Sequence, residues 1–319
     1  MQNKIDRKSD FEKMTSFQET KDSKVILPSD KLINLVKNGN NVILCGPPGT
    51  GKTRAVELLF QTLKDDVGHY EIVQFHPSYS YQDFVEGYTI KDGKYEPKKG
   101  LLFEFIKKAS ATNDDSLKIL VIDEMNRGDV PSIFGELMLL LDRGNRVVKT
   151  AKFGNVLSLP PNFVIIGTMN TADRNIKQLD LALRRRFKFI FVPPDYDGLH
   201  EWLNSYTFDF SEFSISQYVS AITQLNSRIT RHPLLGKSMA LGQSLFVPYV
   251  QGPITLKDLV DVFNEVVLPQ LEAYIGLGNR KELDELFGTP EIRKKLDIAS
   301  DIDAEDLVNI INLLNIAQD

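Results

Sequence analysis

The feature that most constrains this chain is the octapeptide Gly46-Pro47-Pro48-Gly49-Thr50-Gly51-Lys52-Thr53, set between the apolar run Val42-Ile43-Leu44 and a helical pattern from Arg54 to Leu63. A strand, a glycine-rich turn and a helix in that order form a phosphate-binding loop. Glycines let backbone N–H groups close around a β-phosphate, and the helix N-terminus adds a favourable dipole. In that reading Gly46, Pro47, Pro48, Gly49, Thr50 and Gly51 line the phosphates. Lys52 reaches the β- and γ-oxygens, and the Thr53 hydroxyl sits on Mg²⁺. Cys45, just before the loop, reads as a small buried residue rather than a nucleophile.

The loop needs a sheet around it, and the rest of the chain supplies one. Short apolar runs at 41–45, 71–75, 119–122, 163–167 and 187–192 alternate with amphipathic stretches, the pattern of a mainly parallel sheet crossed over by helices. After Pro193-Pro194 the strand-like runs stop. Helix-period segments follow at about 196–206, 214–230, 255–275, 279–287 and 302–317. The fold class expected is therefore α/β, a nucleotide-binding core with a central parallel sheet followed by a small all-α domain. Residues 1–28 read as a polar tail, 29–193 as the core and 194–319 as the helical lid. Asp92-Gly93 between Tyr88-Thr89-Ile90 and Tyr95 reads as a hairpin turn.

Two further strand ends carry polar groups. The run Ile119-Leu120-Val121-Ile122 ends in Asp123-Glu124, which places two carboxylates at the carboxyl edge of the sheet, where open α/β sheets bind ligands. Asp123 is the expected magnesium carboxylate and Glu124 the catalytic one that orients the attacking water. The next helix is expected to begin at Asp129 and to present Ile133, Leu137, Leu140 and Leu141 on one face. Val164-Ile165-Ile166-Gly167-Thr168-Met169 delivers Asn170, an amide able to bond a γ-phosphate or the lytic water; an Asn that tolerates turn geometry is the competing explanation. Arg184-Arg185-Arg186 precedes the last strand. Such a run is either a solvated charge cluster or a set of arginine forks for phosphate, with Asp180 four residues earlier able to hold it.

Composition removes other classes. The single cysteine and four scattered histidines among 319 residues offer neither a disulfide nor Cys/His metal spacing. A net charge of −5 excludes a generally basic nucleic-acid coat. No apolar run approaches a bilayer span and the start lacks the layout of a signal peptide, so a cytoplasmic protein with no membrane contact is expected. Neither a nuclease centre nor a DNA-reading segment is recognisable.

With these elements in order, the chain resembles the AAA+ class of ring-forming NTPases, and within it the McrB family. The narrower likeness rests on Gln74-Phe75-His76-Pro77-Ser78-Tyr79 with Asp83-Phe84-Val85-Glu86-Gly87, and on Asp123-Glu124-Met125-Asn126-Arg127. It continues through Met169-Asn170-Thr171-Ala172-Asp173-Arg174, Leu181-Ala182-Leu183-Arg184-Arg185-Arg186-Phe187 and the lid string Leu241-Gly242-Gln243-Ser244-Leu245-Phe246. Gln243 stands where a histidine is common. The resemblance implies a hexameric ring with GTP or ATP between subunits. Lys52, Thr53, Asp123, Glu124 and Asn170 would act in cis, and Arg127, Asp180, Arg185 and Arg186 would come from the neighbour. It further implies an McrC-like nuclease partner, sensed by Asn170, Thr171, Ala172, Asp173 and Arg174, through which DNA is engaged. A MoxR-like remodelling ATPase acting on a protein client is the alternative, sharing the ring and the site.

Overall fold

Alternation of apolar side chains within the buried strands decides the layering of the core. In the computed structural model, which describes residues 30–111, 114–142, 147–173, 181–276, 286–287 and 301–316, five strands build one sheet. These are β1 (Val42–Gly46), β2 (Val67–Gln74), β5 (Leu117–Asp123), β8 (Phe163–Asn170) and β9 (Lys188–Phe191), in the order β2-β5-β8-β1-β9. All neighbours are parallel. Val42 and Leu44 of β1, Ile119 and Val121 of β5, and Val164 and Ile166 of β8 face a layer made by α1 (Asp30–Lys37) and α2 (Lys52–Thr62). The intervening Ile43, Leu120, Ile122 and Ile165 face the opposite layer, with α3 (Leu101–Ala111) and α4 (Val130–Phe134). Strands buried on both faces read as unbroken apolar runs for this reason.

The expected runs lie on these strands, with two differences. Residues 71–74 of the run expected at 71–75 are the second half of β2, which starts at Val67, and the fully buried Phe75 follows it; at the sheet edge the strand's residues alternate half-buried and exposed, so His69 and Glu71 are tolerated. The helix expected from Asp129 through Leu141 is broken: α4 stops at Phe134, and a 3₁₀ segment (Gly135–Leu141) follows. Gly135 has φ +51, and a Cβ there would stand 3.2 Å from the Tyr81 ring, so the chain turns where only glycine is unstrained.

Beyond β9 the described chain is helical: α5 (Tyr196–Leu203), α6 (Ile215–Arg231), α7 (Leu256–Val262), α8 (Leu268–Ile275) and α9 (Ala304–Ile316). The segment expected at 255–275 runs through a π turn (Phe263–Val267) joining α7 to α8. Most of the segment expected at 279–287, and the tail 1–28, lie outside the described residues. These helices close a separate core around Leu225, Ile229, Phe246, Leu271, Leu307 and Ile311. No described helix is long and apolar enough to cross a membrane.

Two hairpins stand beside the sheet. β3 (Glu86–Lys91) and β4 (Lys94–Lys99) join through Asp92-Gly93, both at positive φ as a two-residue hairpin turn requires. β6 (Val147–Lys149) and β7 (Val156–Ser158) form the other. Glu86, fully buried, ties them together by accepting from the Asn155 amide (2.6 Å) and the Phe153 N–H (3.0 Å), with Lys99 at 3.5 Å. Burial pushes its carboxyl up, but bonds from Thr150, Asn155 and Phe153 and the Lys99 charge prevail and hold it below the usual range. A depressed carboxylate stabilises the fold above the ordinary value of 4.5 and loses that contribution as pH falls through its folded value. Glu86→Ala should therefore cost about 3 kcal/mol in urea unfolding at pH 7, and the gap to the parent chain should narrow in acid.

Candidate active site

Parallel register sets three strand ends level at the carboxyl edge. Gly46 of β1 pairs with Asn170 of β8, and Ile122 of β5, one residue before Asp123, pairs with Gly167. The phosphate loop begins there. Gly49 and Gly51 take φ +74 and +82, and α2 starts at Lys52, so the loop feeds directly into a helix N-terminus. The Lys52 ammonium donates to the carbonyls of Gly46 (3.0 Å) and Pro47 (2.7 Å). Burial lowers its pKa, while Glu124 and Asp123 oppose that shift. Thr50 is buried and donates to Pro47 O at 3.0 Å; Thr53 stands exposed on the first turn of α2.

Thr168, two residues before the end of β8, organises the carboxylates. Its hydroxyl donates to Asp123 Oδ1 and accepts the Glu124 N–H at 3.1 Å. Glu124 has φ +49, a left-handed conformation costing a non-glycine residue roughly 1–2 kcal/mol. Burial pushes its carboxyl up; the Arg127 charge opposes this and the Asp123 charge adds to it. Its Oε2 is buried without a hydrogen bond, and Arg127 Nε lies 3.4 Å away. The same Arg127 nitrogen is 3.7 Å from Asp173 Oδ2. Arg127, which the resemblance assigns to a neighbouring subunit, thus lies between two carboxylates of its own chain.

The loop after β8 is wedged between the phosphate loop and the helices. Asn126 is buried and donates to Asn170 O at 3.0 Å, while the Thr171 N–H donates to Gly46 O at 3.0 Å. Thr171 Oγ1 donates to Ser238 O at 3.1 Å, and Ala172 joins the helical core. Asn170 Oδ1 accepts the Ala172 N–H at 3.1 Å, closing its own turn and leaving the amide nitrogen as its free donor group. Arg174 and Asp180 lie outside the described residues.

The arginine run divides. Arg184 and Arg185 are exposed, the former with its guanidinium 5.8 Å over the Phe189 ring. Arg186 is not a free fork: its side chain is 5% exposed, pairs with Asp142 through two 2.9 Å contacts and donates to Ala182 O. Within its own chain this guanidinium is desolvated against a carboxylate, and withdrawing it would be costly. Asp142 is the carboxylate that holds Arg186 among the described residues. Neither Asp142 nor Thr168 carries a motif signal; Thr168 is legible only as a polar residue inside a strand that is otherwise apolar.

The donor set suits Mg²⁺ bound chiefly through a nucleotide, which takes one or two protein ligands beside phosphate oxygens. Asp123 and Thr53 are the groups that would supply these, and among the described residues no three His, Cys, Asp or Glu groups form a metal cage. Because Thr168 fixes both carboxylate residues, Thr168→Val should lower nucleotide turnover about tenfold, one net hydrogen bond's worth, with the urea midpoint of the parent largely kept.

Residues 41–187 match the family described as AAA domain (dynein-related subfamily). The Escherichia coli K12 protein described as "Type IV methyl-directed restriction enzyme EcoKMcrB subunit" is 34% identical over 225 residues, covering 65% of this chain and 47% of that one. The Bacillus subtilis 168 "Type II restriction enzyme BsuMI component YdiS" is 27% identical over 195 residues, 48% of this chain and 57% of its own. YehL of E. coli K12, an uncharacterized protein, is 25% identical over 205 residues, 56% and 48% of the two chains. The chain thus spans about half the length of these relatives. A parallel five-stranded sheet, a phosphate loop, an Asp-Glu strand end and a helical region in this order give the chain the AAA+ architecture of an α/β core with a helical region beyond it, similar over 225 residues to the E. coli McrB subunit.

Proposed function

We propose that this chain is the nucleotide-hydrolysing motor of a restriction system, divided into a core at 29–193 and a helical lid at 194–319 that close on GTP or ATP. One observation carries the reading. Glu124, in a left-handed turn at the end of β5, holds a half-buried carboxylate whose Oε2 is buried and unbonded, beside Asp123 and at the same sheet edge as Lys52. Loop N–H groups and Lys52 bind the β- and γ-phosphates. Thr53 and Asp123 hold Mg²⁺, which when bound neutralises phosphate charge. Glu124 orients a water and accepts its proton as the oxygen attacks the γ-phosphorus in line. The bond from that phosphorus to the β,γ-bridging oxygen breaks, leaving nucleoside diphosphate and phosphate. Asn170 steadies the water or γ-phosphate from the other side.

Subunits assemble as a ring, hexameric by family resemblance, in which Arg185 reaches the neighbouring site. Arg127 holds Glu124 within its own chain. A McrC-like nuclease subunit docks on the loop from Asn170 to Arg174 and stimulates hydrolysis through Asp173, the outer partner of Arg127. DNA is cut by that subunit. The names of the restriction components in E. coli and B. subtilis support this assignment over a remodelling ATPase.

The test is turnover of GTP and of ATP by the purified chain, with and without the candidate nuclease subunit. Glu124→Gln should lose about 10²–10⁴ in kcat, the range of a removed general base, while nucleotide binding persists. Since Glu124 acts ionised and burial raises its pKa, the acid limb of kcat/KM should fall at a higher pH than the ordinary glutamate value of 4.5. Turnover unaffected by Glu124→Gln would reject the reading. The arginines should separate. Arg185→Ala lowers kcat about 10³-fold or more with stability unchanged. Arg186→Ala instead lowers unfolding stability by about 2 kcal/mol, the scale of a charged hydrogen bond lost from a buried pair.

A further inference from the structure

The helical region does not merely face the phosphate loop; part of it bonds to the loop's back. The Gly242 N–H donates to Pro48 O at 2.9 Å, the Ser244 N–H to Gly49 O at 3.1 Å, and the Gln243 side-chain amide to Thr50 O at 3.2 Å. Three consecutive loop carbonyls are therefore held by one short segment. The approach is backbone on backbone. A Cβ on Gly242 would lie 2.0 Å from the Gly49 carbonyl carbon, and one on Gly49 would lie 2.7 Å from Leu245 Cγ.

Gln243 uses its other end as well. Its Oε1 accepts the N–H of Asp195 at 3.1 Å, directly after Pro193-Pro194, where the chain leaves the sheet. Asp195 caps α5 through the Gly198 N–H at 3.0 Å, and the neighbouring Tyr196 hydroxyl donates to Leu241 O at 3.0 Å. One side chain thus spans the loop, the crossing between the two regions and the lid segment.

In a planar trans peptide the C=O and the following N–H point in opposite directions. Carbonyls of Pro48, Gly49 and Thr50 drawn toward the lid turn the N–H groups of Gly49, Thr50 and Gly51 away from it. We propose that Gln243 is a positioning residue for the phosphate loop: by fixing the Thr50–Gly51 peptide it aligns the Gly51 N–H with those of Gly49 and Thr50 for phosphate, and it makes the loop's shape depend on the seating of the lid. Its two neighbours in the segment, Gly242 and Ser244, act through main-chain N–H groups, whereas Gln243 acts through its side chain. This inference rests on the nucleotide-binding reading above.

The variant that isolates the amide is Gln243→Met, which keeps length and apolar bulk. Hydrogen exchange in the nucleotide-free chain should show the amides at 49–51 exchanging about tenfold faster. The Kd and KM for the hydrolysed nucleotide should rise about tenfold, the loss of one net hydrogen bond, with kcat at saturation within about twofold of the parent. Gln243→His, whose ring N–H can donate to the Thr50 carbonyl, should recover most of the affinity. Gln243→Glu keeps the acceptor for Asp195 but lacks the donor, and should bind no better than Gln243→Met. Unchanged exchange and unchanged Kd in Gln243→Met overturn the inference, as does a loss confined to kcat. Should Gln243→Met lower the melting midpoint, the His and Glu pair decides, and parental affinity in Gln243→Glu overturns it. Lys52→Ala is measured alongside. Parental affinity in Lys52→Ala rejects the nucleotide site itself, whereas weak binding there with parental behaviour in Gln243→Met rejects only the role given to Gln243.

Discussion

Everything chemical in this chain depends on the parallel register of β5, β8 and β1. Parallel strands end on the same side, and here the pairing Gly46↔Asn170 and the pairing Ile122↔Gly167 bring the phosphate loop, the Asp-Glu pair and the Asn170 turn to one edge. A slip of one residue in β8 would send Thr168 to the other face of the sheet. Asp123 would lose its hydroxyl donor, and the Glu124 N–H its acceptor. Register is in turn secured by burial on both faces. Val164 and Ile166 pack under α1 and α2, Phe163 and Ile165 under the opposite layer, so no face-swapped arrangement leaves the core filled.

Charge at that edge is dense and only partly compensated. Asp123 and Glu124 are adjacent, Lys52 is held on loop carbonyls, and Arg127 stands between Glu124 and Asp173. Removal from water disfavours the charged forms of both Lys52 and Glu124, while the groups of opposite sign restore part of the loss. Positioning therefore comes from neutral groups: Thr168 under the carboxylates, Asn126 under the Asn170 carbonyl, Gln243 behind the loop. Neutral donors fix geometry without cancelling the field that a polyphosphate would meet.

The loop, the strand ends and the Asp92-Gly93 hairpin were legible in the sequence because each is specified by residues adjacent along the chain. Glycines at positive φ, an apolar run closed by carboxylates, and a two-residue turn need no tertiary information. The partners of the arginines were not legible, since Arg186 meets Asp142, 44 positions away in the sequence. Arg127 was read outward from its motif, although its nearest carboxylate is Glu124, three residues before it. Gln243 reads only as a departure from a family pattern until its two hydrogen bonds are seen. The break at Gly135 escaped for a related reason: Ile133, Leu137, Leu140 and Leu141 keep helical spacing, and the Tyr81 ring that crowds the turn is distant in sequence.

The paired hairpins have a mechanical consequence. Joined through Glu86, they form one stiff arm whose outer residues, Ile90 and Tyr95, are 68% and 76% exposed. The arm is rooted where Gly100 abuts the backbone of Phe84 and Val85, and Phe84 stacks edge-on to Phe75. A Cβ on Gly128 would meet Ile133 Cδ1 at 2.7 Å and the Phe75 ring at 3.0 Å. Gly128 is the residue after Arg127. Contiguous packing through Phe84, Phe75 and Gly128 therefore joins the root of the hairpin arm to the turn that carries Glu124 and Arg127.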